Sequence, residues 1–173
     1  MLLHKKLENY NLILASASPR RRQLLADCGI QFTLAEKFEC DETFPATMPC
    51  CEVAQHISAL KSNAYPNPLS EKEILLTADT VVIAENKILG KPADRAEAVE
   101  MLTLLSGRKH TVITGVTIRT ATHTHSFSVE SSVYFRALTS EEMDYYIDTY
   151  KPFDKAGAYG IQEWIGYIGI DKI

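Results

Sequence analysis

This sequence of 173 residues lacks long apolar runs, and no stretch approaches the ~18 apolar residues that a membrane-spanning helix needs. Lys5 and Lys6 are followed by an apolar segment that is far too short for a signal peptide. We therefore predict that the protein has no membrane partner. Internal repeats and low-complexity segments are also lacking, which favours one globular domain that can still divide into two lobes.

The sequence has few cysteines and no Cys-x-x-Cys pair, which argues against a disulfide framework or a zinc site. Cys50 and Cys51 are adjacent and poorly placed to bridge each other. The other two are Cys28 and Cys40. Reduced thiols are typical of the cytoplasm, where we expect this protein.

An excess of positive charge is absent too, since the formal net charge is −4 at pH 7. Proteins that bind nucleic acids generally need many cations to neutralise phosphates, so we predict no nucleic-acid partner. Any anion site must depend on a local concentration of basic groups. Hydrophobic residues make up 46% of the chain, enough for a substantial core.

A strand followed by a helix is predicted near the start of the chain. Residues 12–15 are apolar, as suits a short core strand. Ser18 stands at the N-cap of the next helix, Pro19 takes its first position, and Gly29 follows its end. The start of this helix directs backbone N–H groups and the positive end of the helix dipole at one place.

Hydroxyl and guanidinium groups can reach the same helix start, which predicts a phosphate-binding site. They belong to Ser16, Ser18, Arg20 and Arg21. The arginines alone are equally compatible with a solvated helix face. Because three successive residues cannot share one face, we expect Arg22 to be the arginine that points to solvent.

The longest apolar segment, residues 74–84, predicts a central strand with one acid, Asp79, in its middle. A carboxylate in a buried strand is unfavourable unless it is paired, hydrogen-bonded or bound to a metal. A satisfied structural aspartate is one interpretation. We favour a functional role, because acids in unusual environments tend to mark sites.

Two further groups of polar residues are ambiguous in the sequence. Asp41 and Glu42 could be a metal-facing pair, but from the sequence alone we favour ordinary loop acids. His123 and His125 have the spacing of some strand-borne metal ligands, but no third ligand is evident. We therefore favour an exposed hairpin tip for the two histidines.

Two lysines stand out by their neighbours. Lys61 follows Leu60 near the edge of the apolar face of a helix predicted over residues 49–65, where a surface lysine is the default interpretation. Lys91 lies between Gly90 and Pro92, in a rigid loop that presents its side chain.

The rest of the chain predicts a helix from Asp94 to Gly107, two long strands, and a helix that opens on a capping box at Thr139. A glycine-punctuated loop from Tyr150 to Gln162 then leads to a short strand. Strands and helices alternate early, and antiparallel candidates follow, so we predict an α/β protein with a mixed sheet.

Five segments, in this order, resemble the Maf family of septum-formation-inhibitor-like nucleotide pyrophosphatases. Each is weakly specific alone, but together they cover nearly the whole chain. They are Leu14-Ala-Ser-Ala-Ser-Pro-Arg-Arg21, Ala78-Asp-Thr-Val-Val82, Gly90-Lys-Pro92, Leu105-Ser-Gly-Arg-Lys-His-Thr111 and Asp154-Lys-Ala-Gly-Ala-Tyr-Gly-Ile-Gln162.

The resemblance implies hydrolysis of a nucleoside triphosphate between its α and β phosphorus atoms, with release of the monophosphate and pyrophosphate. It implies a divalent cation (Mg²⁺ or Mn²⁺), a cytoplasmic location and a homodimer. The implied α/β fold is a mixed twisted sheet flanked by helices, with two lobes around a cleft, similar to inosine triphosphate pyrophosphatases. We expect residues 1–173 to form a single Maf-like domain without the C-terminal segment of the family.

The resemblance also implies roles for particular residues. Asp79 matches the general base, and Asp79 with Glu42 matches the metal ligands. The groups that contact phosphate or substrate are Ser16, Arg20, Arg21, Lys61 and Lys91. Substrate choice is implied for Arg20, Thr80 and Gln162. The loop over residues 154–162 resembles the branch that acts on dTTP and UTP, and modified pyrimidine nucleotides are compatible with it.

Two other functions compete with this prediction. A non-catalytic, nucleotide-sensing regulator of cell division would use the same phosphate-binding segment without turnover. A phosphatase that releases orthophosphate would use similar residues. The products formed in the presence of Mg²⁺ distinguish the three.

Overall fold

The computed structural model describes residues 2–173. Its helices are Leu3–Leu7 (α1), Pro19–Asp27 (α2), Cys50–Ala64 (α3), Arg95–Leu105 (α4), Ser140–Tyr150 (α5) and Trp164–Gly169 (α6). Its strands are Asn11–Leu14 (β1), Thr33–Leu34 (β2), Glu73–Ala84 (β3), Lys87–Leu89 (β4), Lys109–Arg119 (β5), Thr124–Phe135 (β6) and Ile170–Lys172 (β7). None of these helices is long and apolar enough to span a bilayer.

The strands form one mixed sheet in the order β2-β1-β3-β5-β6-β7, and β4 pairs with β3 off this path. Strand β1 runs parallel to both β2 and β3, with Leu12 opposite Ile74. Strand β4 is antiparallel to β3, with Ile88 opposite Ile83, and β7 is antiparallel to β6. The predicted α/β class, a mixed sheet flanked by helices, is confirmed.

The chain divides into two compact units. The first contains the chain up to Asp79 together with Thr114–Ser128, and the second contains Thr80–Ile113 and Val129–Ile173. Strands β3, β5 and β6 therefore contribute residues to both units. Asp79 is the last residue of its segment in the first unit.

In the first unit, α3 lies against the sheet because its apolar side chains recur at helical spacing and bury Val53, Ala54 and Ile57. Its backbone touches β5 at Gly115, where a Cβ atom would lie only 2.2 Å from the Ala54 carbonyl group. No other residue type fits there without moving the helix or the strand. Lys61 lies about two helical turns after Ala54, on the same side of the helix.

A chain of buried hydroxyl groups fixes α3 against the sheet. Ser58 Oγ donates to the Gln55 carbonyl oxygen at 2.8 Å, so it accepts from Thr117 Oγ1, also at 2.8 Å. Thr117 in turn accepts from Ser126 Oγ at 2.8 Å. Thr77 Oγ1 donates to the Ser58 carbonyl oxygen at 2.7 Å. These directional bonds specify the register of the helix on its strands, which apolar packing alone would specify less sharply.

In the second unit, α4 and α5 pack with the sheet around one apolar core. Its fully buried side chains include Leu102, Leu105, Val133, Tyr146, Ile147 and Ile165. Asp94 caps α4 by accepting from the Glu97 N–H at 2.9 Å. The capping box predicted at Thr139 is confirmed, with Glu142 as its reciprocal partner. A hydrogen bond from Arg136 lowers the pKa of Glu142 to about 2.

Several elements differ from those predicted. The apolar pattern of residues 30–35 predicts a full strand, but β2 is only two residues long, and α1 was not predicted. After the glycine-punctuated loop the chain forms α6 before the short strand, β7, begins. His123 and His125 are both exposed, at the turn into β6, so the hairpin interpretation is confirmed.

His110 is a buried histidine that the sequence did not single out. It is only 3% exposed, and its ring packs edge-on against Phe135 and Tyr159. Its Nε2 lies 2.7 Å from the Tyr159 hydroxyl, and Nδ1 has no hydrogen-bonding partner within residues 2–173. Burial lowers the pKa of His110 to about 4.

We expect His110 to make the protein less stable in mild acid. In the unfolded chain, His110 has a pKa near 6.5 and becomes protonated below that pH. In the folded protein it stays neutral until the pH reaches about 4. The free energy of unfolding therefore has its full value above about pH 6.5. It decreases by at most roughly 3 kcal/mol as the pH is lowered to about 4. Urea unfolding of the wild type and His110→Phe at pH 7 and pH 4.5 measures this difference.

The matched control is His125→Phe, since His125 is exposed. It should keep the wild-type pH dependence, whereas His110→Phe should flatten it. The low pKa of Glu142 places most of that carboxylate's contribution below the same window. An equal loss of stability in acid for all three proteins would contradict the role of His110.

Candidate active site

Two carboxylates of the first unit converge on the ammonium group of Lys61. Lys61 Nζ lies 2.7 Å from Asp79 Oδ1 and 3.0 Å from Glu42 Oε2. The side chains of Lys61 and Asp79 are 18% and 16% exposed, whereas Glu42 is 52% exposed. Partial removal from water strengthens the Lys61–Asp79 contact relative to an ordinary surface ion pair.

The three side chains of this cluster, Lys61, Asp79 and Glu42, come from different parts of the fold. Asp79 follows buried Ala78 on β3, and α3 supplies Lys61 on the side that faces the sheet. Glu42 comes from the loop that joins β2 to α3. Glu42 thus faces the cluster as one of its two carboxylates. Its role toward a metal stays a prediction.

Arg21 joins the start of α2 to the strand that carries Asp79. Its Nη1 donates to the Ala78 carbonyl oxygen at 2.8 Å and to Ser16 Oγ at 3.2 Å. Burial lowers the pKa of the Arg21 guanidinium, and the negative charge of Asp79 opposes that shift. An arginine nevertheless keeps its charge in proteins, so this cation is held beside the carboxylate cluster.

The start of α2 is open to an anion. Ser18 and Pro19 occupy the predicted N-cap and first helical positions, but the Ser18 side chain makes no capping hydrogen bond. The first-turn N–H groups therefore keep their capacity to bind a ligand oxygen. Arg20 lies within electrostatic range of Arg21 and has no hydrogen-bonding or ion-pair partner in the described part of the chain.

Arg22 does not point to solvent as predicted. It is half-buried, like Arg20 and Arg21. Its Nε is shielded from water without a partner in residues 2–173, and its Nη2 lies 3.4 Å from the Ala17 carbonyl oxygen. The long arginine side chain lies along the protein surface, so its direction cannot be inferred from helical spacing alone.

No three His, Cys, Asp or Glu side chains of residues 2–173 form a complete metal site. The two carboxylates on Lys61 are nevertheless hard oxygen donors, and both lie within 3.0 Å of one atom, Lys61 Nζ. Mg²⁺ is commonly bound by one or two carboxylates together with substrate phosphates. Asp79 and Glu42 fit that donor set.

Cys40 also borders the cluster, although the sequence did not point to it. Burial raises the pKa of the Cys40 thiol, and the negative charge of Glu42 raises it further. The thiol is thus neutral at pH 7, which makes it a poor nucleophile and a poor ligand.

The profile of the family described as Maf-like protein matches residues 11–173. The chain belongs to the Maf family.

Curated relatives cover nearly all of this Maf-family chain. A dTTP/UTP pyrophosphatase of Bacteroides thetaiotaomicron is 47% identical over 167 residues, which are 96% of this chain and 86% of the relative. A dTTP/UTP pyrophosphatase of Parabacteroides distasonis is 47% identical over 169 residues, covering 98% and 88%.

The Staphylococcus aureus Ham1 protein resembles the chain in structure, with a TM-score of 0.50 and 14% identity. The alignment covers 72% of this chain and 71% of that protein. At this identity the likeness concerns the fold alone.

The residues predicted for the Maf site fall into two groups. The first unit contains Ser16, Arg20, Arg21, Glu42, Lys61 and Asp79. The second unit contains Thr80, Lys91 and Gln162. Lys91 and Gln162 are exposed, and a hydrogen bond of 3.0 Å from the Gly157 N–H to the Gly90 carbonyl oxygen joins the loops that carry them.

The loop that carries Gln162 also contains a buried lysine, which no sequence pattern indicated. Lys155 is 6% exposed, and its Nζ lies 2.7 Å from Asp154 Oδ1 and 3.1 Å from Glu163 Oε1. Lysine is almost never fully buried unless it is paired. Its partner Glu163 becomes recognisable only after the loop has folded.

Proposed function

We propose that this Maf-family protein hydrolyses dTTP and UTP to the nucleoside monophosphate and pyrophosphate. The observation that carries the proposal is the direct Asp79–Lys61 contact beside a helix start that Arg21 ties to the same strand. The dTTP/UTP pyrophosphatases that are 47% identical to the chain support the substrate class.

The local charges suit a small polyanion. A nucleoside triphosphate carries about four negative charges, and its hydrolysis requires charge neutralisation and alignment more than covalent chemistry. The chain has a net charge of −4, yet Arg20, Arg21 and Lys61 are all in the first unit near one pair of carboxylates. Such a local basic region in an acidic protein favours a short anionic substrate over a polymer.

Asp79 is the group we assign as general base. Its Oδ1 accepts from Lys61, whereas Oδ2 has no hydrogen-bonding partner among residues 2–173. Oδ2 is therefore the oxygen that orients the attacking water and takes its proton. With Glu42, Asp79 would also hold Mg²⁺ or Mn²⁺, an ion that lowers the pKa of a bound water and neutralises phosphate charge.

Cationic groups then stabilise the negative charge that develops on the departing pyrophosphate. In the first unit we assign this role to Arg20, Arg21 and Lys61, together with the N–H groups at the start of α2. The family resemblance extends it to Lys91. Ser16 keeps Arg21 in place by accepting its hydrogen bond.

Base recognition is assigned to Gln162, with Thr80 and Arg20 as further determinants. The imide edge of thymine or uracil has one donor between two acceptors, and a carboxamide can pair with part of it. Cytosine presents an amine instead, and an unpaired polar group at a recognition site is costly. Gln162 is exposed and thus available to a ligand.

The test is a panel of dTTP, UTP, dCTP and dGTP with Mg²⁺ and identification of the products. We expect pyrophosphate and a preference for dTTP and UTP. A preference for dGTP would contradict the assigned base recognition, and release of orthophosphate would identify a phosphatase instead. Nucleotide binding without turnover would favour the regulatory function.

We also propose a cytoplasmic homodimer on the basis of the family resemblance. The absence of a membrane-crossing helix in residues 2–173 is compatible with the location. Sedimentation of the purified protein measures the oligomeric state.

A further inference from the structure

Gln162 lies in a two-residue exposed segment, Ile161-Gln162, between residues that are largely removed from solvent. Gly160 precedes the segment and is buried, and Glu163 follows it and is half-buried. The Glu163 N–H donates to the Gly160 carbonyl oxygen at 3.0 Å, which closes a tight turn around the segment. The position of Gln162 therefore depends on what holds these two flanking residues.

One hydroxyl group holds both flanks. Tyr146, on α5, accepts a hydrogen bond of 3.0 Å from the Gly160 N–H through its Oη. The same Oη donates to Glu163 Oε2 in a short hydrogen bond. A donor and an acceptor on opposite sides of the Gln162 turn are thus linked through a single atom, and the charged acceptor strengthens the chain of hydrogen bonds.

Neighbouring groups restrain this hydroxyl and its acceptor. Tyr146 is fully buried, and its ring stacks on Tyr150 with centroids 5.2 Å apart. Lys155 neutralises Glu163 with its Nζ 3.1 Å from Oε1. Because both oxygens of Glu163 are engaged, its carboxylate has one preferred orientation.

Two close approaches of the backbone add to these contacts of Tyr146, Lys155 and Glu163, which we together call the clamp. A Cβ atom at Gly160 would lie 2.9 Å from Glu163 Cδ, so the carboxylate packs directly on that glycine. A Cβ atom at Gly166 would lie 1.9 Å from the Ile161 carbonyl oxygen, so α6 supports the turn from behind. The turn has little room to move as long as these contacts persist.

We propose that Tyr146 and Glu163 are positioning residues for pyrimidine recognition, which fix the Gln162 turn in the orientation that reads the base. The proposal rests on the proposed function, in which Gln162 contacts the base. A recognition group held in place before binding avoids the entropy cost of ordering it when the ligand arrives. Loss of the clamp should therefore weaken base discrimination more than the chemical step.

The experiment compares Tyr146→Phe with the wild type for kcat and KM on dTTP and dCTP. We expect the preference for dTTP over dCTP, as a ratio of kcat/KM, to fall about tenfold, mainly through KM for dTTP. Tyr145→Phe is the matched control, because Tyr145 is half-exposed and its hydroxyl makes no hydrogen bond in the described chain. It should keep the wild-type ratio.

A double-mutant cycle separates positioning from a general structural effect. Gln162→Ala alone should also lower the ratio, and Tyr146→Phe combined with Gln162→Ala should lower it no further. Additive losses would overturn the proposal while leaving the proposed function intact. An unchanged ratio in Gln162→Ala would refute the assigned base recognition, and the positioning role would fail with it.

Glu163 variants provide a second route if Tyr146→Phe does not fold. Glu163→Gln keeps an acceptor for the Tyr146 hydroxyl and should preserve much of the ratio, whereas Glu163→Ala should lose it. Amide exchange at residues 160–163 should accelerate in Glu163→Ala and not in Tyr145→Phe. Equal ratios in the two Glu163 variants, or unchanged exchange, would overturn the proposal.

Discussion

Replacing Asp79 with asparagine should lower kcat for pyrophosphate release by about a thousandfold. An amide has nearly the same shape as a carboxylate but cannot take a proton from water. The fold should persist, because Lys61 keeps Glu42 as a partner at 3.0 Å. Loss of one charged hydrogen bond should cost about 1 to 3 kcal/mol of stability. Initial rates with saturating dTTP and Mg²⁺, together with thermal unfolding, measure both effects.

Asp171→Asn is the control for Asp79→Asn, since Asp171 is an exposed carboxylate in the short last strand. It should leave both kcat and the unfolding temperature near the wild-type values. If Asp79→Asn kept most of the wild-type turnover, another group would have to act as the base. If it unfolded at assay temperature, the rate would carry no information about the base, and Asp79→Ser, which also lacks a carboxylate, would take its place.

Lys61→Met should lower kcat/KM about a hundredfold, the scale observed when one charge-stabilising donor is removed from an active site. Methionine fills a similar volume without the charge. The variant leaves Asp79 and Glu42 close together without their shared cation. Because Glu42 is half-exposed and screened by solvent, we expect a stability loss of only about 1 to 2 kcal/mol.

A divalent cation should partly restore the stability of Lys61→Met. Mg²⁺ supplies the positive charge that the two carboxylates have lost, so it should raise the unfolding temperature of this variant more than that of the wild type. Thermal unfolding with Mg²⁺ and with chelator measures this without any turnover. Lys72→Met, at an exposed position just before β3, is the control. An equal response to Mg²⁺ in all three proteins would count against a metal site at Asp79 and Glu42.

Local patterns predicted the elements that depend on neighbouring residues. Ser18 with Pro19 and the Thr139 capping box mark helix starts, because a cap is formed within one turn of chain. Asp79 was conspicuous because a carboxylate is rare in an apolar strand. Helix α6 was missed, since six residues with two glycines have a weak helical pattern.

The roles of Lys61 and Glu42 were not decided by local pattern. In the sequence, Lys61 resembles any lysine at the edge of an amphipathic helix. It meets Asp79, which is 18 residues away, only because α3 packs closely on the sheet. That packing depends on Gly115, which admits the helix backbone, and on the hydroxyl chain through Ser58 and Thr117.

The amino-acid sequence by itself determined the α/β class, the family and most of the residues that we propose to bind substrate. The class follows from the periodicity of apolar residues, and the family and the binding residues follow from short motifs. Tertiary structure alone decided which charges are paired and which polar groups are buried. Glu42 pairs with Lys61, Lys155 pairs with Glu163, and His110 is buried against Tyr159. The reason is physical. The cost of removing a charge or a ring nitrogen from water depends on neighbours in space, and the folded chain brings these neighbours together from distant positions.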